Sequence, residues 1–316
     1  MKTLVTGASG FIGKAVAERL TDGKNSTVAA LRHYSTELPA DVQQVIYAGL
    51  TEDQNWAPLL KGVEAIVHCA ARVHVMTETA ENPLNEFRKV NVEGTLRLAR
   101  QAASAGVKRF IFLSSIKVNG ESTPLGRPFK AGDMPAPRDP YGISKLEAEL
   151  ALQDLSKSSG LDIVIIRPVL VYGPGVKANF RQLIHFVSRG IPLPFGLADN
   201  KRSLVMLDNL VDLIATCLNN PAANNQTFLV SDGNDLSTAQ LIKSIAKTMN
   251  QPPRLIPVPT GFLNLIAIAC GKRTIAERLL GSLQVNIDHT RETLGWNPPV
   301  TTQDGLKKTV DSLASP

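Results

Sequence analysis

The chain has 316 residues, of which 43% are hydrophobic and 20% charged, with a formal net charge of +6. This describes one large globular domain or about two ordinary ones, and it excludes a disordered chain, a collagen-like repeat and a disulfide-stapled miniprotein. The basic residues are scattered, with no run of five or six, so the positive balance points to anionic small molecules and not to nucleic acid or a membrane. Cys69, Cys217 and Cys270 form an odd, widely spaced set without a CxxC, so neither a disulfide framework nor a metal site is expected. The first residues lead directly into a glycine turn, unlike a signal peptide. The longest apolar stretch, Phe262–Cys270, is interrupted by Asn264 and is far too short for a membrane span. A soluble, reducing, cytoplasmic setting is therefore expected.

In chain order, strands are predicted at Thr3–Thr6, Thr27–Leu31, Ala65–His68, Arg109–Leu113 and Ile163–Arg167. Helical patterns fall near Ile12–Leu20, Asp53–Leu60, Asn85–Ala105 and Tyr141–Ser158. Alternation at this spacing predicts βαβ units and an α/β fold, a doubly wound parallel sheet with helices on both faces. Strands buried on both sides read as continuous apolar runs, as RFIFL and IVIIR do. After Pro168, proline and glycine cluster, and helices follow near Asp208–Leu218 and Thr238–Met249. The expected division is residues 1–170 as a nucleotide-binding domain and 171–316 as a smaller, interleaved lobe, with 203–219 returning to the first domain.

Residues 4–13 read LVTGASGFIG, placing Gly7, Gly10 and Gly13 after a strand and at a helix start. Gly7 permits a tight turn, Gly10 a close approach of backbone to a pyrophosphate, and Gly13 close helix–strand packing. The helix N-terminus offers free N–H groups to phosphates. The second strand ends in Arg32-His33, where an acid would hold the 2′-hydroxyl of NAD. An arginine there suits a 2′-phosphate, so NADP(H) is favoured over NAD(H). The competing view of Arg32 is a solvated strand-end residue.

Residues 140–145 read PYGISK, so Tyr141 and Lys145 share a helix face. An ammonium beside a phenol stabilises phenolate and suits the tyrosine to acid/base work. Ser114 and Ser115 follow the strand RFIFL, at the end of the sheet where such folds place ligands.

With these three elements in order, the sequence resembles the extended short-chain dehydrogenase/reductase family, whose members are nucleotide-sugar epimerases, dehydratases and reductases. The resemblance covers essentially the whole chain and includes HCAAR at 68–72, NVEGT at 91–95, FLSSIKVNG at 112–120, RPVLVYGPG at 167–175, KRSLVMLDNLVD at 201–212 and ETLGWNPP at 292–299. It implies a Rossmann-type sheet with a substrate-binding lobe. It implies Tyr141 as general acid/base, Lys145 on the nicotinamide ribose, and Ser115 on the reacting sugar oxygen. Phe11, Ile12, Ala70 and Ala71 would line the cofactor, and Asn179 and Arg202 would hold the diphosphate of a UDP-sugar. Homodimers in this family form by pairing the Asn85–Ala105 and Tyr141–Ser158 helices into a four-helix bundle.

Ile116-Lys117 follows Ser115 where the 4,6-dehydratases carry an Asp-Glu pair, so a dehydratase is not expected. Two chemistries at C4 remain. Reduction of a UDP-4-keto-6-deoxy-N-acetylhexosamine by NADPH, in bacterial surface polysaccharide synthesis, ranks first because no acid accompanies Arg32. A UDP-glucose-type 4-epimerase with NAD is the alternative, and a non-catalytic NADP-binding sensor is a distant third. Lys117 either contacts the substrate or pairs with Glu121. His68, His74 and His185 read as structural, and Met206 and Trp296 as core or interface.

Overall fold

The computed structural model describes residues 1–21, 26–50, 54–73 and 82–314. Its centre is a seven-stranded parallel sheet: β1 (Lys2–Thr6), β2 (Ser26–Leu31), β3 (Gln43–Ile46), β4 (Ala65–His68), β5 (Arg109–Leu113), β6 (Asp162–Pro168) and, after two short strands, β9 (Thr227–Val230). The spatial order is β3-β2-β1-β4-β5-β6-β9. The strand order therefore reverses between β1 and β4. That is the position where an open α/β sheet leaves a crevice beyond its carboxyl ends. β7 (Leu170–Tyr172) and β8 (Leu204–Met206) form a separate parallel pair.

Two apolar layers sandwich the sheet. On one face lie α1 (Phe11–Leu20) and α6 (Leu207–Asn219), whose Val16, Leu210 and Ile214 pack with Val5, Ile111 and Val164. On the other lie α3 (Thr95–Ser104) and α4 (Pro140–Ser159), whose Leu98, Ala148 and Leu152 pack with Leu4, Ile66 and Phe110. A third core joins α5 (Ala178–Ser188), α7 (Thr238–Thr248) and α11 (Thr302–Ala314) around Tyr172, Phe180 and Ile245. Met206 and Trp296 are buried, as expected, and the Trp296 indole donates to Asp212 at 2.9 Å.

Local chemistry sets the helix that matters most. Asp139 precedes α4, and its Oδ1 accepts from the Gly142 N–H at 2.7 Å. Pro140 takes the first helical position, and the helix stops at Gly160 with φ 70°. These are strong start and stop signals.

Two helical expectations need correction. The Asp53–Leu60 pattern begins at Asp53, outside the described residues, and its remainder is a set of turns. Leu59 and Leu60 both donate to the Trp56 carbonyl, and the fully buried Trp56 serves as a plug under α3. Pro58 has no N–H with which to extend those turns into a helix. The Asn85–Ala105 pattern is not one α-helix. It divides into α2 (Pro83–Arg88), a π-helical turn at Lys89–Gly94, and α3. The wider turn carries the buried Asn91, whose Nδ2 donates to the Arg72 carbonyl and the Ser144 hydroxyl, both at 3.0 Å. Turns of this kind recur where a helix must aim a side chain at a site.

Candidate active site

The glycine turn sits at the strand-order reversal. Gly7 has φ 71°, and a Cβ there would lie 2.7 Å from the Ala70 nitrogen. The turn thus presses backbone to backbone against the segment after β4. A Cβ on Gly13 would lie 2.2 Å from the Gly7 carbonyl oxygen, so α1 packs on the turn only as glycine permits. Gly10 is the N-cap of α1 and supplies no side-chain cap, and the first turn carries no acid. The leading N–H groups of α1 are thereby left to an anionic ligand. Phe11 and Ile12 are half-buried beside the turn, the Ala70 backbone lies against its other side, and Ala71 follows, half-buried. This cradle fits the pyrophosphate of a dinucleotide. Arg32 projects, exposed, at the end of β2.

The candidate catalytic residues meet across the ends of β5 and α4. Ser115 caps the short 3-10 turn Ile116–Val118. Its hydroxyl hydrogen-bonds Tyr141, which works to lower the phenol pKa, but burial dominates, with the Asp139 carboxylate adding to it, and pushes Tyr141 up to about 12. Lys145 is buried, donates from Nζ to the Leu113 carbonyl at 2.8 Å, and stands 4.4 Å from the Phe112 ring centre and 5.9 Å from that of Tyr141. Burial lowers its pKa to about 8, against the opposing pull of Cys69 and Glu149.

Several supporting residues escaped the sequence reading. Glu149, one turn beyond Lys145, is buried and pairs with Arg167, whose Nε lies 3.0 Å from Glu149 Oε1. Ser114 donates to the same carboxylate, and Arg167 Nη1 donates to Asn119 Oδ1 at 3.0 Å. This network ties α4 to the ends of β5 and β6. The Lys145–Glu149 spacing of one turn is a legible signal, whereas the partner Arg167 is not. Lys117 pairs with Asp139 and, at 3.6 Å, with Glu121.

Arg202 and Asn179 both lie after β6, Asn179 in α5 and Arg202 just before β8. Asn179 is exposed in the first turn of α5. Arg202 Nη1 donates to the Gly281 carbonyl at 3.0 Å. Burial lowers its pKa, and the neighbouring Arg278 guanidinium adds to the effect. Two guanidiniums that feel each other's charge make a local well for an anion. Arg278 carries no sequence signal, because only the fold brings it to Arg202. His68 is structural, as expected: it is buried between Thr6 Oγ1 at 2.7 Å and Thr95 Oγ1 at 3.0 Å, and burial holds its pKa near 3. His185 is exposed on α5, so the expectation of a structural histidine there is corrected: it faces water on the polar side of an amphipathic helix. His74 lies outside the described residues. Among the described residues no cluster of His, Cys, Asp and Glu could hold a metal.

A dinucleotide cradle at the strand-order reversal, with a serine and a Tyr-x3-Lys helix beside it, defines the extended short-chain dehydrogenase/reductase class. The chain belongs to the NAD dependent epimerase/dehydratase family, whose model matches residues 3–231. It is 49% identical over 312 residues to a UDP-glucose 4-epimerase of Vibrio cholerae, covering 98% of this chain and 94% of that one. The UDP-glucuronic acid 4-epimerase of Bacillus cereus, solved with NAD, superposes with a TM-score of 0.80 at 20% identity, over 99% of this chain and 98% of that one. The UDP-glucose 4-epimerase of Thermotoga maritima, solved with UDP-glucose, gives 0.78 at 24% identity over 99% and 98%. At those identities the two structures establish the shared fold.

Proposed function

We propose that the protein is a 4-epimerase of a UDP-hexose. The observation that carries this reading is the 49% identity, along nearly the whole chain, to a protein named UDP-glucose 4-epimerase. It favours the epimerase over the net 4-keto reduction that the sequence ranked first. Reduction stays as the second reading on one observation, the exposed Arg32 at the end of β2, which suits NADP.

A nicotinamide dinucleotide in the cradle supplies a hydride acceptor that can also return the hydride. The chain's own residues handle the proton and the sugar. Tyr141 takes the C4 hydroxyl proton as phenolate while C4 loses hydride, leaving a ketone. Once the keto sugar had turned its other face to the cradle, Tyr141 would return a proton to that oxygen, so the reaction would leave no net redox change. Lys145 stabilises the phenolate only as a cation, and its pKa near 8 keeps it largely charged at neutral pH. Ser115 orients the phenol. Arg202 and Arg278 hold the diphosphate, and Asn179 of the same lobe joins them in this reading. The lobe 171–316, with 203–219 on the sheet, then serves as the sugar-nucleotide domain. Dimerisation through the Asn85–Ala105 and Tyr141–Ser158 segments is part of the same reading, supported by the exposed Leu150 on α4.

The test is incubation with UDP-glucose, UDP-galactose and their N-acetylated forms, without added reductant. Interconversion without a net absorbance change at 340 nm, the nicotinamide band, is expected. Consumption of NADPH with a UDP-4-keto sugar, and no interconversion, would establish the reductase instead.

A further inference from the structure

The apolar run Phe262–Cys270 plays no part in the site, and the fold does not bury it. It forms α8 (Thr260–Ala269), in which no residue is buried. Phe262 is 57% exposed, Leu265 66% and Ile268 55%, and Ile266 and Ile275 beside them are also open. A helix this apolar on all sides normally lies in a protein core or in lipid. No helix of the described residues is long and apolar enough to cross a membrane. Ten residues of helix reach about 15 Å, against a hydrocarbon core of about 30 Å.

The charge around α8 names the occupant. The turn after α8 and the helix packed on it carry Lys272, Arg273 and Arg278 against the single acid Glu277, which pairs with Arg273 at 2.9 Å, so the balance beside α8 is positive. Lys272 and Arg273 stand in and just after the turn that closes α8. The Lys272 N–H bonds the Ala267 carbonyl at 2.7 Å, and Gly271 takes φ 67°. From there α9 (Arg273–Leu280) packs back on α8. A second copy of the chain on this face would set the cationic turn against a surface of its own sign. An anionic bilayer complements both the apolar helix and the turn.

We propose that α8 docks the protein on an anionic membrane surface, lying in the boundary between headgroups and acyl chains with Lys272 at the lipid phosphates. α9, packed on α8, also carries Arg278, so the docked helix sits one helix away from the Arg202–Arg278 pair. Docking does not depend on which sugar the site takes.

The test is flotation of the purified full-length protein with vesicles of phosphatidylcholine alone or mixed with phosphatidylglycerol. The expected result is about 10-fold more protein on the anionic vesicles, falling as salt rises. The double substitution Leu265→Asp with Ile268→Asp is expected to cut binding at least ~10-fold, because it places charge on the apolar face, with the melting temperature unchanged. Lys272→Glu should remove about five-fold of the anionic preference. Parent protein that stays in the soluble fraction with both vesicles overturns the proposal. So does equal flotation of parent and double variant, or a soluble dimer that the double variant dissociates, which would show a second copy covering α8.

Discussion

Lys145 reaches back from α4 to donate to the Leu113 carbonyl at 2.8 Å, at the carboxyl end of β5. One hydrogen bond thereby fixes the helix that carries Tyr141 against the strand that delivers Ser115. The ammonium is dry, which lowers its pKa to about 8. In the free enzyme the cation that favours the phenolate is therefore present below that pH and disappears above it. With the Tyr141 phenol near 12, phenolate beside the cation increases as pH rises toward about 8 and gains nothing further above it, so we expect kcat/KM to rise up to about pH 8 and then level off. Tyr141→Phe and Lys145→Met should each lower kcat by about 10²-fold or more with the fold intact. Steady-state rates from pH 6 to 10 on all three proteins check this; a flat parent profile across that range contradicts it.

Gly13→Ala tests the cradle. Its new Cβ would fall 2.2 Å from the Gly7 carbonyl, a backbone atom that cannot rotate away. The turn must open or α1 must lift. We expect at least ~10-fold weaker dinucleotide binding and a stability loss of about 1–3 kcal/mol. Calorimetric titration and thermal melts measure the two effects.

Arg32→Ala tests the cofactor preference. Removal of the guanidinium should weaken NADP binding about 10-fold while leaving NAD binding unchanged. Parallel titrations with both cofactors decide it, and an unaltered ratio of affinities means Arg32 is only a solvated strand end.

Arg202 and Arg278 should act on substrate capture. Arg278→Ala is expected to raise KM for the UDP-sugar by about 10-fold or more with a smaller change in kcat. Arg202→Lys should do the same, since a lysine lacks the fork that bonds paired phosphate oxygens. A fall in kcat at constant KM would place these residues outside the diphosphate site.

His68 makes the fold acid-sensitive. It is neutral between two threonine hydroxyls, and burial holds its pKa near 3, below the ordinary 6.5. The unfolded chain takes up the proton first as pH falls. The stability linked to His68 is thus complete above pH 6.5 and is lost as pH drops toward 3. Across that window the linkage amounts to about 4–5 kcal/mol. His68→Asn should flatten the parent's dependence of stability on pH between 6.5 and 3, as read by urea melts at several pH values.

Much of this was legible in the residues. Five sheet strands announced themselves as apolar runs because a strand buried on both faces tolerates little else, whereas β3 is short, half-exposed and polar and gave no such signal. VTGASGFIG and PYGISK carried the cradle and the tyrosine–lysine pair because each is set by local backbone geometry and helix spacing. The π-turn at Lys89–Gly94 was not legible, because its cause is a contact: Asn91 reaches Arg72 and Ser144, distant in sequence.

The sequence by itself determined the parallel α/β sheet, through apolar runs alternating with helical periods, and the glycine cradle and the Tyr141–Lys145 face, through local backbone geometry and helix spacing. Tertiary structure alone decided which distant charges meet. It set Glu149 on Arg167, brought Arg278 to Arg202 and drew Lys117 to Asp139. It also decided the fate of the apolar run at Phe262–Cys270. Hydrophobicity is written in the residues, but burial depends on what the rest of the chain packs against them, and here α8, packed chiefly against α9, keeps no buried residue.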